Sequence, residues 1–168
     1  MRPKRRARQG DVAMNTAAET FFDRRRQAVN ALCAGPCVTD ADVLALRREV
    51  FADGEVTREE ADALFALERA PGAKCQQWTS FFIEAMTDHA VWQARPTGIV
   101  NAAQGEWLLE QADATLTLNA FAAMVNVLGE AHRVPLWFAA AVRARAARGW
   151  PGAESALAAA SAEMALAA

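Results

Sequence analysis

Apolar residues recur along this chain at three- and four-residue spacing, in blocks cut by glycine, proline and capping residues, a rhythm that predicts helices rather than strands. Phe21, Phe22, Val29 and Leu32 line a first helix, opened by a capping box at Thr16 and Glu19 and stopped by Gly35-Pro36. Val43, Leu46 and Val50, joined by Leu44 and Phe51, predict a second helix from Thr39 or Asp40 to near Ala52. Ala61, Leu64, Phe65 and Leu67 give a third, from Arg58 to Arg69. The fourth, over 74–93, has the widest apolar face: Trp78, Phe82, Ala85, His89 and Trp92, broadened by Phe81, Met86 and Ala90. A face that wide needs neighbours on more than one side, so this helix is expected at the centre of the packing.

Asn101 caps a fifth helix over 102–112 that carries Trp107 and Leu108, and Thr115 or Thr117 begins a sixth with Phe121, Met124, Val125 and Leu128 facing inward. Pro135 suits the first turn of a seventh, bearing Leu136, Trp137, Ala141 and Val142. Residues 149–152 make a firm break, and the alanine-rich 153–168 reads as a terminal helix, docked through Leu157, Met164 and Leu166, or as a frayed end. The fold class is therefore all-α: one domain of about seven or eight short helices over 16–150, with a basic arm at 1–15 and an alanine-rich tail at 151–168.

One local pattern occurs twice. Asp53-Gly54-Glu55-Val56-Thr57 through Glu60 is matched by Thr97-Gly98-Ile99-Val100-Asn101 through Gln104, with Leu64 and Leu108 further on. Gly54 and Gly98 supply the left-handed residue that ends one helix, while Thr57 with Glu60 and Asn101 with Gln104 form the capping boxes that begin the next. The pattern predicts two helix-turn-helix hairpins, an internal repeat over 40–69 and 83–112.

Composition narrows the function classes. The chain has 168 residues, a net charge of −2 and no tyrosine. Residues 1–26 hold eight of the eighteen Lys and Arg but three of the twenty Asp and Glu, so +5 at that end faces −7 on the rest. Arg2, Lys4, Arg5, Arg6 and Arg8 offer charge-mediated contact with nucleic acid or an anionic membrane surface, or act as a solubilising tail. No apolar run reaches the length of a membrane span or follows the basic residues as a secretory signal does, so a cytoplasmic location is expected. Cys33, Cys37 and Cys75 are too few for a disulfide framework and have no completing ligands for a zinc set, so reduced thiols are expected.

The segment from Phe51 to Glu60 resembles two families. Against the calcium loop of EF-hand proteins, Asp53 falls at the fifth place, Gly54 at the invariant glycine, Val56 at the apolar place and Glu60 at the closing carboxylate. Glu49 falls at the first place, while Phe51, at the third, has no oxygen to give. The resemblance implies Glu49, Asp53 and Glu60 as a metal set, calcium as the ion, and Val56 packed against Val100. The second copy puts Gln93 and Arg95 at the first two ligand places, which does not suit a cation. Phe51-Ala52-Asp53-Gly54-Glu55-Val56-Thr57-Arg58-Glu59-Glu60 is also similar to the TerB-like helical domains associated with tellurite resistance and stress. That likeness implies a pseudo-symmetric, non-catalytic domain with an acidic metal-attracting or protein-binding surface.

No phosphate loop, serine elbow or His-Glu-x-x-His helix is present. His89 fits a hydrogen-bonded core or rim histidine better than a general base, and His132 falls near a helix end. Five tryptophans exceed what a small helical core needs, which marks Trp92, Trp107 and Trp150 as candidates for contact with a partner. The sequence thus points to a non-enzymatic interaction or accessory protein whose partner is another protein. A metal-responsive module and charge-mediated binding through the arm stand as alternatives.

Overall fold

The computed structural model describes residues 25–51 and 53–150. The capping box at Thr16, the basic cluster at Arg2 to Arg8 and the alanine-rich tail lie outside them. Helix α1 is helical over 25–33. It leads through Gly35-Pro36 to a two-residue strand β1 (Cys37–Val38), then to α2 (Asp40–Ala45), which continues as a π-helical turn over Leu46–Val50. Next come α3 (Arg58–Arg69), strand β2 (Ala73–Lys74) and α4 (Gln76–Thr87), which likewise runs on as a π-helical turn over Asp88–Gln93. The described residues finish with α5 (Ala102–Thr115), α6 (Leu118–Glu130) and α7 (Leu136–Ala147). Among the described residues the architecture is all-α apart from β1 and β2, which pair in parallel with Cys37 beside Ala73 and Val38 beside Lys74, a short ladder the helical rhythm does not announce.

The capping residues explain where the helices begin. Thr39, Thr57 and Asn101 are extended residues whose side chains accept from the third residue of the helix, and Asp42, Glu60 and Gln104 reach back to them. Thr117 caps α6 through the N–H of Ala120. Helix α5 runs past Ala112 to Thr115 and ends on Leu116, a left-handed residue with φ 54°.

Helix α4 lies at the centre, packed on α2, α3 and α6, with α6 its most extensive neighbour. Trp78, Phe82, Met86, Ala90 and Val91 are buried completely, as the width of the apolar face predicts. Phe65 of α3 sets its ring edge-on to Phe82 at 5.1 Å and to Trp107 at 5.7 Å, which ties three helices through aromatic contact. The indole N–H of Trp78 donates to buried Glu68 at 2.6 Å, so neither polar group is left unsatisfied.

Four inward assignments, those of Leu44, Val125, Leu136 and Trp137, are corrected. Leu44, Val125 and Leu136 face solvent, because Val43 with Leu46, Met124 with Val127, and Phe138 with Val142 take the buried side of their helices at i, i+3 and i+4 spacing. Helix α7 comes close to α5 at Gly105, where a Cβ would stand 3.1 Å from the Trp137 ring and 3.3 Å from that of Phe138.

Candidate functional site

Both turns have the geometry their residues require. Gly54 and Gly98 take φ of 71° and 78°, in the left-handed region. At the first turn Glu60 Oε2 accepts from the N–H of Thr57 at 2.8 Å, and at the second Gln104 Oε1 accepts from that of Asn101 at 3.0 Å. Val56 and Val100 are both buried. Among the described residues, however, no backbone hydrogen bond joins one turn to the other.

Their surroundings differ. The N–H of Val100 donates to Arg133 O at 3.0 Å, and Gly98 O accepts from the N–H groups of His132 at 2.8 Å and Arg133 at 3.2 Å, so Ile99 and Arg133 form a parallel bridge. At the first turn a single side chain does the same work. Gln93 Oε1 accepts from the N–H of Val56 at 2.8 Å, while Gln93 Nε2 donates to Gly54 O at 2.9 Å. Val56 O in turn lies 2.7 Å from His89 Nδ1. A carbonyl only accepts, so Nδ1 carries the proton and Nε2 of the neutral ring is the acceptor.

Between these groups runs an open groove of about 460 Å³, lined by Glu55, Val56, Thr57, His89, Trp92, Gln93, Arg95 and Gln104 among others. Burial is the main influence on His89 and pushes its pKa down, against the hydrogen bond to Val56 O, so the ring is neutral at physiological pH. It stands edge-on to Trp107 at 5.3 Å, in keeping with a histidine at the rim of the core. Helix α4 brings His89, Trp92 and Gln93 to the groove together because all three sit on its terminal π-helical turn, a feature that occurs often at functional positions. On the far flank, burial first and then Glu84 and Glu130 raise the pKa of Asp88, while Arg47 opposes them.

The carboxylates assigned to a metal have a different neighbour. Buried Arg25 of α1 donates to Glu60 Oε1 at 2.8 Å and to Asp53 Oδ2 at 2.9 Å. Burial pushes the carboxyl of Asp53 upward, but the hydrogen bonds from Arg25 and from the N–H of Glu55, together with the charge of Arg25, outweigh it and hold the pKa below the ordinary value. A guanidinium therefore stands where the sequence suggested a cation, and it comes from a helix too distant in the chain for local spacing to signal it. Glu49 sits on the π-helical turn before Gly54, and no side-chain position is described for it. Among the described residues no group of three His, Cys, Asp or Glu side chains is arranged to hold a metal ion.

The tryptophans divide. Trp107 and Trp150, expected as partner contacts, are core residues at 4% and 3% exposure. The indole N–H of Trp107 donates to Asp62, with Arg58 stacked 4.0 Å over its ring, and Trp150 packs on Phe121 at 5.0 Å. Trp92 is exposed, its N–H donating to Glu130 at 2.8 Å and its ring edge-on to His132 at 6.0 Å. Trp137 of α7, which periodicity assigned to the core, is exposed as well, with Leu136 beside it. What could have revealed it is Phe138, the better partner of Val142 at i, i+4 spacing. No helix of the described residues is long and apolar enough to cross a membrane. No protein-family model, no curated protein and no solved structure matches this chain.

Proposed function

We propose that this chain is a non-enzymatic interaction protein built on two copies of one helix-turn-helix unit, in keeping with the TerB-like pattern of Phe51 to Glu60, and that its partner is another protein. The observation that carries the reading is the exposure of three large apolar side chains on segments adjoining the second turn: Trp92 at 40%, Trp137 at 42% and Leu136 at 89%. Trp92 meets His132, which lies against Gly98, and Trp137 lies over Gly105 of the helix that the turn begins. Aromatic side chains of this kind dominate the energetics of protein interfaces, since each removes a large apolar area from water in one contact.

The test compares capture of interacting proteins from the native host by the wild-type chain and by the triple variant Trp92→Ala, Leu136→Asp, Trp137→Ala. A stoichiometric partner retained by the wild type and lost by the folded variant is the expected result. Equal recovery by both would remove this surface from the proposal. In the metal-responsive alternative, calcium would compete with Arg25 for Asp53 and Glu60, and tryptophan fluorescence would change at millimolar calcium.

A further inference from the structure

The two turns present the same pair of backbone groups to their surroundings, a glycine C=O and, two residues on, a valine N–H. At the second turn an extended stretch of chain, through His132 and Arg133, meets both groups. At the first turn the primary amide of Gln93, which has the same donor and acceptor as a peptide unit, meets both. The edge at Gly54 and Val56 is thus a bridge position filled by a side chain. A Gln side chain has freely rotating bonds and can swing aside, whereas the backbone at Arg133 is fixed in the fold. Beside the edge lies the groove, open to solvent and lined in part by His89 and Trp92.

Resting on the interaction reading above, we propose that the Gly54–Val56 edge docks an extended basic peptide segment of a partner protein, which pairs with Gly54 O and Val56 N–H in place of the Gln93 amide. The chain's own second turn is the template for such pairing, and addition of an extended segment to an open edge is a general mode of peptide recognition. The resident segment at the second turn is itself basic, with His132 and Arg133, and exposed Glu55 on the groove and Glu59 beyond Thr57 suit such a segment, with Arg95 on the groove and Arg58 beside Thr57 as the opposing charges.

The probe is the acetylated and amidated hexapeptide Ala-His-Arg-Val-Pro-Leu, the sequence of residues 131–136. It is titrated into the full chain and into Gln93→Ala while tryptophan fluorescence and amide hydrogen exchange are followed. Removal of the competing amide is expected to tighten binding about tenfold, the effect of one to two net hydrogen bonds. The amide of Val56 should exchange slowly in the wild type, rapidly in Gln93→Ala, and slowly again once peptide is added. N-methylation of the peptide at its His and Arg nitrogens should weaken binding about tenfold, because those groups donate to the glycine carbonyl.

Equal binding to both proteins, equal binding of both peptides, an unchanged Val56 amide, or no binding at millimolar peptide would each overturn the proposal. So would concentration-dependent dimerisation of Gln93→Ala that the peptide does not reverse, since the occupant would then be a second copy. Circular dichroism confirms that the variant folds. Gln93→Asn, one methylene short of reaching both backbone groups, replaces it if it does not. A partner captured through Trp92, Leu136 and Trp137 in spite of a negative peptide result would leave the interaction reading standing and this edge excluded.

Discussion

At the turn through Gly98 the outward-pointing backbone groups are met by another length of backbone, whereas at the turn through Gly54 they are met by the side chains of Gln93 and His89, while Arg25 holds the carboxylates of Asp53 and Glu60. Both turns use a left-handed glycine, a buried valine and a reciprocal capping box. The difference shows that a short local code fixes the shape of a turn and leaves open what covers it. A turn covered by backbone is bound to its neighbour permanently. One covered by side chains is adjustable, and its behaviour depends on charge.

The strongest way to break the comparison is to remove Arg25. Arg25→Met leaves the buried carboxylate of Glu60 without its cation and should destabilise the fold by about 3 kcal/mol in urea unfolding, somewhat less if water reaches the half-exposed Asp53. Asp53 also gives the sign of the pH dependence. Its pKa is lower in the folded protein than in the unfolded chain, so its contribution is complete above the unfolded value near 3.9 and is lost as pH falls through the folded one. Arg25→Met should therefore unfold less steeply below about pH 4 than the wild type does. An unchanged acid limb in the variant would show that Arg25 does not hold Asp53 in solution.

Glycine substitutions contrast the covers directly. Gly98→Ala would set a Cβ 2.5 Å from Cδ2 of His132 in addition to its unfavourable φ, whereas Gly54→Ala meets nothing within 4 Å. Losses of about 2–3 kcal/mol at Gly98 and about 1 kcal/mol at Gly54 are expected by thermal or urea unfolding. Equal losses would mean that His132 swings clear at no cost.

The caps test what the turns share. Thr57→Ala and Asn101→Ala should each cost about 1 kcal/mol and agree to within a few tenths, because each removes one half of the same reciprocal pair. The smallest effect is electrostatic. His89 should titrate below the ordinary histidine value in a proton-resolved NMR titration. Because its folded pKa is depressed, the stability it confers is present above the unfolded value near 6.5 and declines as pH falls from there.

Much of this scaffold was legible in the sequence, for identifiable reasons. The third helix over Arg58–Arg69, the caps Thr57 and Asn101, one of the two starts offered at Thr39 or Asp40 and at Thr115 or Thr117, and the central place of α4 follow from short-range hydrogen-bond chemistry and apolar periodicity. Periodicity alone misplaced Leu44, Val125, Leu136 and Trp137, since on a helix rich in apolar residues the buried side is chosen by the neighbour rather than by the spacing. Helix α7 illustrates this, because Gly105 admits Phe138 and thereby turns Leu136 outward. Of the candidate site, His89 and Trp92 could be read from their common helical face. Arg25 and Gln93 could not, because the groups they satisfy are far along the chain and no spacing rule links them.

A π-helical turn holds one residue more than the α-helix on either side of it, and α2 and α4 each finish on such a turn. Residues 46–50 and 88–93 are thus two places where a single-residue deletion can be absorbed by closing up into regular helix. Such a loss would leave the last side chains facing nearly as before, whereas a deletion in the regular part of α4 would turn Gln93 by about 100° about the axis, away from Gly54 and Val56. The two π-helical turns thus hold a spare residue each, and chain length elsewhere in α4 decides whether Gln93 reaches the first turn.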